Sequence, residues 1–265
     1  MKIVYLLGVS NGWTMNNSIQ ELTAPRRWDS PQTCEMTGRL HGSKQFSLIG
    51  PVVRSVAVRL AHVQIHYSDY LGLFKKHFTD HLGDEYSAEE LLFGEDGSDD
   101  IGANNSFFIR AEAHVYASLQ ALHALADNMS HVVYYALGWN LDQRLSLRDV
   151  SFHRILSQLN VGTQNGEPLD RLVSAFETLK SDPEFLALEN AANHLKHHGG
   201  LPVSLGLTGE NMEALEASLM EYKRLGVPQP SQPVLSRIER SHAAVAMFVF
   251  NAGTALNEAL RLRLL

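Results

Sequence analysis

From residue 52 onward apolar residues recur at spacings of three and four, the period that gathers them on one face of an α-helix. Val53, Val56, Leu60, Val63, Tyr67, Tyr70 and Leu71 form the first such stripe, in a segment that stops near Gly83. The longest regular segment runs from about Asn105 to Leu137, closed by Gly138, with Phe108, Val115, Leu119, Leu122, Ala126, Met129 and Val133 as its core ridge. Shorter helices are expected over 147–159 and 168–179, with 160–166 as a loop between them. Ser181, Asp182, Pro183 and Glu184 combine a capping box with an early proline, and open a helix that ends at His198 before Gly199 and Gly200. Thr208 is placed to cap another helix, in which Met212, Leu215, Leu219 and Tyr222 share a face. Pro228, Pro230 and Pro233 make a stiff connector into a final helix from about Val234 to Leu262. Long helices joined by short loops predict a mainly α, up-and-down bundle.

Residues 1–50 read differently and are expected to form a small β or irregular N-terminal segment, leaving 51–265 as the helical-bundle domain. Ile3 to Leu7 is β-prone, and Glu35–Leu40 and Gln45–Ile49 flank His41, Gly42, Ser43 and Lys44 as a hairpin would. Gly8 and Gly12 lack the spacing of a dinucleotide fingerprint. The acidic stretch from Asp84 to Asp100 lacks the glycine and glutamate of a calcium loop, so it reads as a solvated loop.

Charge narrows the function classes. The formal net charge is −7, with 22 Lys and Arg, which argues against a broad nucleic-acid-binding surface while leaving room for a local basic pocket. The single cysteine, Cys34, fits a reducing, cytoplasmic setting. The start of the chain is brief for a signal peptide, and the apolar stretch Ala243–Phe250 falls well under the ~18 residues that span a bilayer, so no membrane association is expected.

The 13 histidines carry most of the candidate chemistry. His62 and His66, and His77 and His81, sit four apart on helical ridges, where a solvated polar face explains them better than a metal. His123, Asp127 and His131 follow at steps of four along the longest helix. A carboxylate between two imidazoles can orient a base, hold a metal or satisfy hydrogen bonds inside a bundle, and the last is the commonest. Glu239 and His242 make one Glu-x-x-His without the second that a di-iron bundle needs. At the end of the 181–198 helix, Asn190, Asn193 and His197 share a face. Lys196 and the neighbouring histidines suit the negative end of the helix dipole, but that does not account for the asparagines.

Asn193, Lys196 and His197, preceded by a long helix carrying Ala126, Asp127 and His131, resemble the HEPN group of helical-bundle proteins. The resemblance covers roughly residues 52–262. It implies an association with prokaryotic defence or toxin–antitoxin systems, a homodimer whose paired bundles form one cleft, and a metal-independent ribonuclease in active members, without a cofactor. RNA would then be the substrate, with His197 as general acid or base, Asn193 orienting it, Lys196 attracting phosphate, and Asp127 and His131 nearby. Active members place an Arg ahead of the His, and here that slot holds Ala192, so the guanidinium that would stabilise a developing phosphorane charge is missing. An Arg, a gap and a His also occur at Arg59–His66, Arg148–His153 and Arg237–His242, about as often as chance supplies; the last pair is the one to test first. Three readings stay open: an RNA-binding or assembly module or divergent ribonuclease, a metal-dependent hydrolase using His123, Asp127 and His131, and a non-catalytic interaction protein.

Overall fold

The computed structural model describes residues 27–82, 100–208 and 214–265, and side chains outside 77–105 and 207–215. The expectations for Ile3–Leu7, for Gly8–Gly12, for the acidic stretch and for the side chains of His77 and His81 therefore lie outside the described residues.

The chain is mainly α, as its periodicity predicts. Its helices are α1 (Ser30–His41), α2 (Ser43–Leu82), α3 (Asp100–Ala136), α4 (Phe152–Gln164), α5 (Asp170–Ser181), α6 (Pro183–His197) and α7 (Val234–Arg263). Helices α2 and α3 pack along each other as a long hairpin, and α3 and α7 form the axis around which α1, α4, α5 and α6 close. The contact stripe of α2 is a clean seven-residue repeat, Ile49, Val56, Val63 and Tyr70, each almost fully buried. The α3 ridge is likewise buried at Val115, Leu119, Leu122, Ala126, Met129 and Val133. An aromatic cluster locks the other helices together: Phe152 stacks on Phe176 at 5.2 Å, and Phe176 meets Phe248 edge-on at 5.0 Å.

Three expectations fail. The hairpin over Glu35–Ile49 is instead two helices meeting at a glycine. Asp29 caps α1, its carboxylate accepting from the Gln32 N–H at 3.1 Å, and Gly42 turns the chain at φ +88°, its N–H returning to the Gly38 carbonyl. The glycine read as a hairpin turn is thus a helix stop, and the boundary expected at residue 50 falls inside α2, which continues through Pro51. Buried Thr33 fastens α1 to α7 by donating to Asn257 at 2.5 Å.

The helix expected to begin at Thr208 is also absent. Val203–Thr208 (β1) pairs antiparallel with Ala214–Leu219 (β2), in the register Val203 to Leu219, and Gln232–Pro233 (β5) adds to β2. Tyr222–Arg224 (β3) and Val227–Gln229 (β4) form a second hairpin, turning through Leu225 and Gly226, both at positive φ. Leu215 and Leu219 fit a spacing of four and an alternation of two equally well, and partnering with 203–208 selects the strand. Third, α4 extends through the expected 160–166 loop to Gln164.

By length and composition α2 and α7 both reach the threshold for a membrane span. In α7 the face that would meet lipid is largely covered by the bundle.

Candidate functional site

The polar ridge of α3 lies against α6. His123 is half-buried, its ring parallel to Phe185 of α6 at 6.3 Å. Burial pushes its pKa down, Asp127 and Glu189 oppose that shift, and Lys196 and Arg224 reinforce it. One turn further on, an oxygen of the Asp127 carboxylate accepts from the Phe152 N–H at 2.9 Å. Phe152 opens α4, whose own cap residue Ser151 makes no side-chain capping bond, so Asp127 supplies that cap from a neighbouring helix. His131 donates from Nδ1 to the Asp127 main-chain carbonyl at 2.9 Å and does not contact its carboxylate. The three residues share a ridge, but each is engaged separately. Among the described residues, His, Cys, Asp and Glu do not assemble in a group of three or more that could hold a metal.

On α6, Asp182 caps the helix, accepting from the N–H groups of Glu184 and Phe185 at 2.8 and 3.1 Å, where the sequence suggests Ser181. Asn193 is half-buried, while Lys196 and His197 are exposed. No hydrogen bond or ion pair joins Asn193, Lys196 or His197 to Asp127 or His131 within the described residues. Ala192, in the slot where the HEPN pattern places arginine, is 5% exposed and belongs to the core. It lies about 140° around the helix from His197, so the two positions address different environments.

The α6 C-terminus gathers residues that sequence reasoning missed. His194 lies 4.7 Å from the Tyr222 ring and 5.5 Å from His198, and its Nδ1 is buried without a hydrogen-bond partner. Burial lowers the His194 pKa, helped by His198 and Arg224, and burial raises that of Tyr222. With exposed Lys196 and Lys223 and half-buried Arg224, this edge is locally cationic on a chain of net charge −7. Reading 208–222 as a helix hid it, because only the β3 hairpin returns Tyr222 and Arg224 to α6.

Arg237 is buried and makes four hydrogen bonds. It donates to Ser241 and Gln232, both at 3.1 Å, to the Glu184 carbonyl at 3.0 Å, and pairs with the Glu184 carboxylate. His242 lies about 140° around α7 and does not share that network. Glu239 accepts from Tyr67. On the α2–α3 hairpin, His66 and His114 face each other through Nδ1 at 3.3 Å, so the pair shares one proton, while His62 is exposed. Burial and His114 both lower the His66 pKa.

Compared with family models, curated proteins and solved structures, the chain shows no significant match to any of them.

Proposed function

We propose that this chain is a HEPN-like helical bundle that works as a non-catalytic binding and assembly module. One observation carries this reading: Asp127, Arg237 and Ala192 are taken up by the fold, whereas apolar side chains of α2 are left exposed. Asp127 caps α4, Arg237 is held by Ser241, Gln232 and Glu184, and buried Ala192 stands where a catalytic arginine is needed. By contrast, α2 leaves Phe46, Leu48, Val58 and Ile65 between 40% and 54% exposed or, for Val58, 39%. Val58 and Ile65 stand seven residues apart on one side of the helix, where a partner would meet both.

Two measurements on the full chain test this. Light scattering across a concentration series reports self-association, and single- and double-stranded RNA incubated in EDTA reports cleavage. The expected result is an assembled chain and no cleavage that depends on His197. Cleavage abolished by His197→Ala would overturn the non-catalytic reading.

A second reading, recognition of RNA phosphates, draws on the cationic edge at Lys196, Lys223 and Arg224. Its expected sign is RNA binding that weakens in Arg224→Ala and falls steeply with salt. Binding insensitive to both changes would dismiss it.

A further inference from the structure

The outward face of α2 lies opposite the stripe that packs on α3. Pro51, Arg54, Val58, Ala61, His62, Ile65, Asp69 and Gly72 are all exposed. At about 100° per residue they fall within about 60° of one line along the helix, and the buried Ile49, Val56, Val63 and Tyr70 lie on the other side. Pro51, Val58, Ile65 and Gly72 repeat every seven residues, the same period as the buried stripe. One 40-residue helix thus carries two seam-like faces, and the described residues of the chain cover one of them.

The order of residues on the open face says what fits it. Turned end for end about a point between Ala61 and His62, the face superposes on itself. Val58 then meets Ile65 of a second copy, Pro51 meets Gly72, and Arg54 meets Asp69, with every pair made twice by symmetry. Among the described residues, Arg54 and Asp69 make no hydrogen bond or ion pair, and Asp69 acts on His66 only through its charge. Beside this face, exposed Arg59 comes opposite exposed Gln64. A parallel pairing would instead set Arg54 against Arg54 and Asp69 against Asp69, an arrangement that like charges oppose.

We propose that the chain forms a two-fold homodimer by antiparallel packing of α2 on α2 of a second copy, with its axis between Ala61 and His62. This rests on the assembly reading above and gives it a surface and a register. The apolar pairs at Val58 and Ile65 supply association. The Arg54–Asp69 pairs fix direction, because charge pairs at an interface select partner and register more than they add affinity. Pro51 and Gly72 at the two ends let the backbones approach, since neither carries a long side chain.

The test uses the full chain in analytical ultracentrifugation, with circular dichroism confirming that each variant keeps its helices. Wild type is expected to dimerise, and Ile65→Glu to weaken the dimer by about a hundredfold or more. Arg54→Asp and Asp69→Arg should each weaken it about tenfold, and combining the two should restore it. In a Cys34→Ser background, Ala61→Cys should form a disulfide-linked dimer under mild oxidation, and Leu48→Cys should not. A wild-type dimer unaffected by Ile65→Glu, or a charge swap that fails to restore pairing, overturns this register and leaves assembly standing. A wild type that stays monomeric at high micromolar concentration overturns both. A chain that sediments with neutral phosphatidylcholine vesicles through this face, and is monomeric without them, overturns the protein–protein surface.

Discussion

Helices α2 and α7 have the same mean hydropathy over their most apolar 18 residues, yet 17% of that window is buried in α2 and 56% in α7. Their neighbours make the difference. Helix α7 packs against α1, α3, α5 and α6, whereas α2 packs against α3 and α1. The same apolar content therefore holds the fold together in one helix and, among the described residues, stays largely exposed in the other. Hydropathy measures the drive to leave water, and topology decides whether the chain itself satisfies it.

Substitutions in the aromatic core test that contrast most strongly. Phe248, which packs on Phe152 and Phe176, should cost about 4 kcal/mol when truncated to alanine. Ile65→Ala should change the stability of the monomer by less than about 0.5 kcal/mol, and equal losses in urea unfolding would erase the distinction. A similar pairing of charged residues comes next. Arg237→Ala leaves Glu184 without its buried partner and should cost about 3 kcal/mol, while exposed Arg54→Ala should leave the monomer's unfolding midpoint unchanged.

Protonation separates the regions more gently. His123 and His242 have pKa values lowered from 6.5 by burial, so the unfolded chain takes up protons before the folded one does. Their contribution is complete above about pH 6.5, and stability falls as pH drops from there toward the folded values. Melting temperature should decline over that window. His242→Asn on α7 should flatten the slope. A slope indifferent to His242 would remove it as a source.

The smallest effect sharpens the site rather than the core. Asp127→Ala should cost about 1 kcal/mol by uncapping α4, whereas His197→Ala should stay within about 0.5 kcal/mol. If Asp127→Ala leaves unfolding untouched, the carboxylate is not acting as a cap, and its chemistry reopens.

Much of this was legible in the residues, and the gaps have definite causes. Helices α3 and α7 were readable because their apolar repeats are long enough to exclude a strand. For Asp127 the residues leave a base-orienting, a metal-binding and an internal role open; its partner, the Phe152 N–H, lies 25 residues away on another helix and has no local signature. The cationic edge at His194, Tyr222 and Arg224 was invisible for the same reason.

The sequence by itself determined that the chain is mainly helical, which face of α3 is buried, and where α6 stops, because these depend on neighbours three or four residues apart or on a glycine at the helix end. Tertiary structure alone decided that Gly42 joins two helices and that 203–219 pairs as strands. It alone left Val58 and Ile65 of α2 exposed among the described residues. Those outcomes turn on which distant segment arrives to share a hydrogen bond or cover a surface, and local periodicity does not encode that.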